Sequence, residues 1–356
     1  MKITYGHDNK TALQAKFDAQ KIAFGPIMFQ ASIALRNLGI LDHLFNNRKT
    51  GSTMEEIAEA LNLSVYGVKV LLEAGLSLEM VQVEQDRYSI TKTGYFILKD
   101  ELTRVNMDFV QDVNYLGMFK LQEAITNGKP EGLSVFGQWN TVYEALAELP
   151  EKVRKSWFAF DHFYSDYAFP EVLPYIFENK PTKILDVGGN TGKFSIFCAG
   201  NNPDIQLTIL DLPGQVAEAN NNIESAGFSN RISTHALNLL DDSIPFPKGY
   251  DAIWMSQFLD CFSQEQILSL LNRSYNALDA NGSLFILETY WDRQAYPAST
   301  YSLHGTTLYF TAIANGNSQM YHSRDMVRLV EASGFKIDRM IDNIGVSHTL
   351  LECSKR

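Results

Sequence analysis

ILDVGGNTGKFSI, residues 184–196, is the stretch that decides the fold of this 356-residue chain. A short apolar run meets glycines at 188, 189 and 192 and then a helical segment. Glycines at such a junction let the backbone turn sharply and come close to a ligand before the helix begins. Asn190 stands where a further glycine is expected, and asparagine is among the residues that best tolerate positive φ.

Outward from this turn, strands and helices alternate, which is the pattern of a parallel sheet covered on both faces. KILDVGG, QLTILDL, ISTHALNLL, YDAIWMSQF and GSLFILETY read as strands, with NTGKFSIFCAG, PGQVAEANNNIESAG and SQEQILSLLNRSYNAL as helical segments between them. FKIDRMIDNIGVSHTLLECSK reads as two more strands joined by a tight turn at Gly345, so an antiparallel hairpin closes the sheet. The expected fold class is α/β, a Rossmann-like and mostly parallel sheet over residues 181–356.

The preceding chain has a different texture. Residues 11–46 carry Ile22, Phe24, Ile27, Ile33, Leu35 and Leu41 at helical spacing with little charge among them, the mark of a buried helix or an oligomer contact. Residues 51–98 read as helix, turn, helix and two short strands, a winged-helix pattern in which Ser52 or Thr53 caps the first helix and Ser64 starts the second. The second helix has a single lysine, Lys69, and the whole chain carries a net charge of −11. Phosphate backbones are bound by clustered Lys and Arg, so no nucleic-acid partner is expected, and a ligand-sensing DNA-binding regulator is the weaker alternative. Neither a transmembrane run nor the apolar stretch of a signal peptide is present, so no membrane contact and a cytoplasmic location are expected. Cys198, Cys261 and Cys353 are scattered, which suggests neither disulfides nor a metal site.

Two acids sharpen the glycine turn. Asp211 ends the second strand, 19 residues beyond Gly192, where it can accept hydrogen bonds from two ribose hydroxyls. Asp186 adds a carboxylate inside the first motif. A dinucleotide would set its pyrophosphate at the helix N-terminus, where an extra carboxylate is unwelcome. S-adenosylmethionine carries a sulfonium and an ammonium group instead, and acids suit it.

LDVGGNTG, ILDLPGQVAEA, FSQEQILSLL, LFILETY and EASGF together resemble the C-terminal domain of S-adenosylmethionine-dependent O-methyltransferases of the plant caffeate and bacterial polyketide or hydroxyneurosporene type. The winged-helix stretch resembles that family's N-terminal dimerisation domain. The resemblance implies three regions: a dimerisation domain over 1–100, a helical region lining the acceptor pocket over 101–180, and the cofactor-binding domain over 181–356. It also implies a homodimer and a small-molecule acceptor.

By the same resemblance, Gly188, with Gly189 and Asp186 beside it, contacts the cofactor, and Asp211, followed by Leu212, holds the ribose. Asn238 falls where the family has an aspartate facing the adenine amino group, Leu239 where it has a residue against the ring, and Ser256 where it has a lysine. FLDCFSQE, residues 258–265, matches the stretch that normally contains a catalytic histidine. This chain has Asp260 and Cys261 there. Glu288 matches the glutamate that orients the histidine, while Gln319 stands for a second one.

Asp260 is therefore the candidate general base, with the alternative that it only caps the helix starting near Ser263. His162, Tyr309 and Phe310 match positions that line the acceptor pocket, and His304 is expected in the loop after Glu288. The expected activity is methyl transfer to a hydroxyl of a small aromatic or polyketide-like acceptor. Hydroxylation or decarboxylation assisted by the same cofactor is the alternative chemistry.

Overall fold

The computed structural model describes residues 7–356, so the first six residues of the stretch read for a signal segment lie outside it. The described residues form two units, 7–111 and Asp112–Arg356. The first unit contains α1 (Ala12–Ala23), α2 (Gly25–Asn37), α3 (Ile40–Asn46), α4 (Met54–Leu61), α5 (Val65–Ser77), the hairpin β1 (Val81–Glu84) and β2 (Arg87–Ile90), α6 (Lys92–Lys99) and α7 (Glu101–Phe109). Thr53 opens α4 through a capping box: Thr53 Oγ1 accepts from the Glu56 N–H at 3.2 Å, and the Glu56 carboxylate accepts from the Thr53 N–H at 3.0 Å. Ser64 caps α5 in the same sense. Leu35, Leu41, Ile57, Val68, Leu72 and Val81 form the core of this unit. The apolar stripe over 11–46 divides, for Ile33, Leu35 and Leu41 are buried while its first part is not. No residue of α1 is buried, and Ile22 and Ile27 remain 79% and 65% exposed.

The second unit begins with α8 (Leu121–Asn127), α9 (Val142–Ala145), α10 (Glu151–Asp166) and α11 (Phe169–Ile176). The stretch 101–180 is thus shared between the units, with α7 in the first and α8 to α11 in the second. Then come β3 (Lys183–Val187), α12 (Lys193–Asn201), β4 (Gln206–Asp211), α13 (Pro213–Ala226), β5 (Ile232–Ala236), β6 (Tyr250–Ser256), α14 (Gln264–Ala277), β7 (Leu278–Glu288), α15 (Pro297–Tyr309), α16 (Ser323–Ala332), β8 (Phe335–Ile344) and β9 (His348–Lys355). The sheet order is β5-β4-β3-β6-β7-β9-β8, parallel from β5 to β7 and antiparallel at β9 and β8.

Alternation along each strand fills both faces. Ile184, Ile209 and Trp254 pack with Phe169, Phe194 and Ala219 on one side. Leu185, Val187, Leu210 and Met255 pack with Leu271, Met326 and Val330 on the other. The chain leaves β3 toward β4 and β5, then returns to β6 on the other side of β3. At this reversal the loops after β3 and β6 diverge and leave a crevice at the carboxyl ends of the strands.

Candidate active site

The crevice is built on glycines because nothing larger fits. Gly188 has φ +77°, and a Cβ there would stand 2.2 Å from the Phe258 ring, so the turn after β3 lies directly on the turn after β6. Gly192, at φ +82°, ends the turn and begins α12, and Asn190 takes φ +50° as its residue type allows. Period-2 alternation puts Asp186 on the α12 face, where it accepts from the Ser195 hydroxyl at 2.6 Å. A Cβ on Gly189 would meet Asp186 Oδ2 at 2.9 Å, so this carboxyl also supports the turn from beneath. Burial pushes Asp186 up to about 7.

Asp211 is held by backbone. Its Oδ2 accepts from the Asn190 N–H and its Oδ1 from the Leu212 N–H, both at 2.7 Å. Burial lifts its pKa to about 6 against the pull of those two bonds. Each oxygen retains acceptor capacity, since a carboxylate offers about four lone-pair sites. Beyond β5 the chain turns at Asn238, whose Oδ1 accepts from the Leu240 N–H at 3.1 Å, which ends the strand at Ala236 rather than at Leu240. Leu239 is 5% exposed and belongs to the core, whereas Leu240 is 47% exposed, so of the pair it is Leu240 whose side chain is free to cover a ligand.

A cleft of about 510 Å³, its open mouth included, runs along this crevice. Asp161, His162, Asp186, Gly188, Asn190 and Ser256 are on its wall. Asn190 Oδ1, His162 Nε2 and Ser256 Oγ are shielded from solvent and have no hydrogen-bond partner among the described residues. Three orphaned polar atoms on one wall mark a place for a polar ligand. Gln257 holds φ +47°, a conformation rare for its type, and its sequence carries no sign of it. A second cleft, of about 650 Å³, opens at the other end of the strands among Lys183, Arg231 and Lys248, away from every candidate residue.

Asp260 lies in a 3-10 turn, Leu259–Cys261, and is 6% exposed. Glu288, at the end of β7 and 1% exposed, accepts with Oε1 from the N–H groups of Phe258 at 3.0 Å and Leu259 at 2.7 Å. Asn315 Nδ2 donates to the Cys261 carbonyl at 2.7 Å, and the Tyr321 hydroxyl to the Phe262 carbonyl at 2.6 Å. The turn is thereby tied to three other segments. Ser263, not Asp260, caps α14, in a capping box with Gln266. The Asp260 carboxylate receives the Cys261 thiol at 3.4 Å. Burial pushes Asp260 up to about 6. Burial and then the Asp260 charge push Glu288 well above the usual carboxylate range.

Around this turn stand residues of α9, α10 and α15. Trp157 Nε1 donates to the Tyr309 hydroxyl at 2.7 Å, joining α10 to α15, and Tyr309 and Phe310 are buried. His162 is half-buried, and burial lowers its pKa, which keeps the ring neutral at pH 7. Its neighbour Asp161, which the sequence reading passed over, accepts from Asn190 Nδ2 at 3.4 Å. Burial, tempered by the 29% of its side chain left exposed, and the charge of Asp260 push Asp161 up to about 7. Asp161 therefore links the cleft wall to the Asp260 turn. His304 lies exposed on helix α15 rather than in a loop, against Trp291 at 5.1 Å. Asn315 and Tyr321 come from the loop before α16 and Asp161 from α10, and none of them carried a local motif.

The comparisons with known proteins agree with this geometry. Residues 16–88 match a Dimerisation2-like domain and residues 120–336 an O-methyltransferase domain. The chain is 29% identical over 272 residues to the L-tyrosine C(3)-methyltransferase of Streptomyces lavendulae, covering 75% of this chain and 73% of that one. It is 27% identical over 236 residues to the 3-hydroxy-5-methyl-1-naphthoate 3-O-methyltransferase of Streptomyces sahachiroi, covering 65% and 66%. The S-adenosylmethionine-dependent methyltransferase SibL shares the fold, with a TM-score of 0.73 over 95% of this chain and 98% of that one at 24% identity. A glycine crevice at the sheet reversal, a ribose-type acid beside it and these matches lead to one conclusion: the chain belongs to the O-methyltransferase domain family and is an S-adenosylmethionine-dependent methyltransferase.

Proposed function

We propose that the chain transfers a methyl group to a hydroxylated aromatic small molecule, with Asp260 as the general base. The observation that carries this reading is Asp260 itself. It is a buried carboxylate raised to about 6, on a turn fixed from three sides, where the family pattern has a histidine. The cleft suits the cofactor: Asp161, Asn190 Oδ1 and Ser256 Oγ on its wall would face the polar, cationic part, and Asp211, bonded to that wall through the Asn190 N–H, would hold the ribose hydroxyls. When bound, S-adenosylmethionine supplies an electrophilic methyl group on a sulfonium.

Asp260 takes the proton of the acceptor hydroxyl as the oxygen attacks, and afterwards releases it to solvent. An ordinary aspartate, with a pKa near 3.9, is a poor base toward a phenol near 10, and lifting it to about 6 narrows that gap. Glu288 secures the Phe258 and Leu259 N–H groups and so fixes the direction of Asp260. Alignment of donor and acceptor supplies much of the remaining acceleration. The buried Tyr309 and Phe310 beside the turn suit a flat, apolar acceptor. The protein works as a homodimer, a reading supported by the Dimerisation2-like match and by exposed Leu13, Ile22 and Ile27 on α1 and α2.

A second reading is favoured by the similarity to a tyrosine C(3)-methyltransferase: the same base forms a phenolate, and the ring carbon beside it takes the methyl group. Incubation of the enzyme with methyl-¹³C cofactor and a panel of phenols, followed by NMR of the products, separates the two. An O-methyl signal supports hydroxyl transfer, and an aryl-methyl signal the ring-carbon reaction. Tight cofactor binding without any methylated phenol would sink both and point to the hydroxylation or decarboxylation chemistry.

A further inference from the structure

Tyr143, on the short helix α9, is a polar group at the acceptor end that has no work in the scheme above. Its hydroxyl is shielded from solvent and makes no hydrogen bond of regular geometry among the described residues. Cys261, Tyr309 and Asp260 surround it. The Cys261 thiol is directed to Asp260 at 3.4 Å, and the Tyr309 oxygen already receives Trp157 Nε1 at 2.7 Å. Burial drives the Tyr143 phenol well above its ordinary range, so it is a permanent donor. Its partner there is the Cys261 sulfur, a weak acceptor, so the buried donor stays under-satisfied until a ligand oxygen takes that place.

The surroundings say what that acceptor is. Asp260 is felt by Asp161, Cys261, Glu288, Tyr309 and Tyr321, a ring of acids and weak acids. Lys193, on the cleft wall, is engaged with Asp166 at 2.8 Å. Negative charge developing on an acceptor oxygen here meets repulsion and needs a donor close by. We propose that Tyr143 donates a hydrogen bond to the same acceptor oxygen from which Asp260 takes the proton. Base and donor thus act on one atom, and Tyr143 is a substrate-contacting residue of the reaction. This rests on the phenolic-acceptor reading.

The test uses 4-nitrophenol, whose phenol and phenolate differ in colour, bound to the full-length protein loaded with S-adenosylhomocysteine. Absorbance titration gives the pKa of the bound phenol. Tyr143→Phe should raise it by about 1 or more, because a hydrogen bond to a charged oxygen is lost. Replacement of Tyr143 by 3-fluorotyrosine, a stronger donor of nearly the same shape, should lower it. Neither change should alter the affinity for S-adenosylhomocysteine. An identical bound pKa in all three proteins overturns the role of Tyr143 while leaving the phenolic reading standing. If wild type with S-adenosylhomocysteine bound takes up no 4-nitrophenol, the phenolic reading falls and Tyr143 falls with it. Should Tyr143→Phe fail to fold, the fluorotyrosine protein decides alone: a lower bound pKa supports the proposal and an unchanged one overturns it.

Discussion

Asp211 and Asp260 are both buried carboxyls just at or beyond the ends of parallel strands, both lifted to about 6 by burial, yet their neighbours equip them for different work. Asp211 has each oxygen fixed by a backbone N–H at 2.7 Å, so its position is set before any ligand arrives. Asp260 receives a thiol at 3.4 Å, a weak donor, and its own backbone N–H, while the backbone that carries it is secured by Glu288, Asn315 and Tyr321. One acid is immobilised through its carboxylate, which suits it to hold a ligand. The other is immobilised through its main chain, which leaves the carboxylate able to take a proton.

The sharpest way to break that contrast is a crossed pair of substitutions. Asp260→Asn should lower kcat by roughly 100- to 10,000-fold, the usual range for loss of a general base, with little change in the affinity for S-adenosylhomocysteine. Asp211→Ala should do the reverse where binding is measured. Losing two hydrogen bonds to a charged group weakens the cofactor by roughly 100- to 1000-fold in calorimetry. If Asp260→Asn leaves turnover unchanged, or if Asp211→Ala binds cofactor normally, the division of labour is wrong.

The two regions also differed in how far the sequence disclosed them. The cofactor half is made by backbone geometry at one strand-to-helix turn, and such geometry demands particular residues at fixed spacing. Gly188, Gly192, Asn190 and Asp211 could therefore be picked out directly, as could the alternation of strands and helices along the chain and the closing hairpin at Gly345. The acceptor half is assembled from α9, α10, the turn after β6, the end of β7 and the loop at Asn315, which lie far apart in the chain. Tyr143, Asp161 and Asn315 meet only through tertiary packing, so no local pattern announced them. Leu239 shows a related limit. Its position in the chain was legible, but the turn at Asn238 sends its side chain into the core and leaves Leu240 outside.

A smaller effect concerns the carboxyls taken together. A carboxyl whose folded pKa lies above its unfolded value near 4 binds its proton more tightly in the folded state. The stability it adds is complete below that value and is lost as pH rises through the folded pKa. For Asp211 and Asp260 at about 6, and Asp186 at about 7, the window runs from about pH 4 to about 7. Ligand-free protein should therefore lose stability of the order of a few kcal/mol across this window, seen by calorimetry as a Tm lower at pH 8 than at pH 5. Glu56, Asp241 and Asp251 are shifted downward, so their contribution changes at lower pH, while buried His348, lowered to about 4, opposes the carboxyls within the window and reduces the size of the trend. A Tm that climbs through the window would mean that these acids are stabilised as anions by partners yet to be accounted for.

The finest distinction is between Glu288 as an acceptor and Glu288 as a charge. Glu288→Ala leaves the Phe258 and Leu259 N–H groups buried without an acceptor, at about 1–3 kcal/mol each, and should lower Tm and release the Asp260 turn. Glu288→Gln keeps a carbonyl oxygen for both N–H groups and should be nearly neutral for stability. Its effect on the pH profile separates the two roles. A base must be ionised to work, so kcat rises with pH through the Asp260 pKa of about 6. Glu288 is pushed well above the usual carboxylate range, and a neutral Glu288 gives Gln no charge to remove, so the limb should stay where it is. A limb displaced toward lower pH would show that wild-type Glu288 is an anion there, repelling the charge on Asp260.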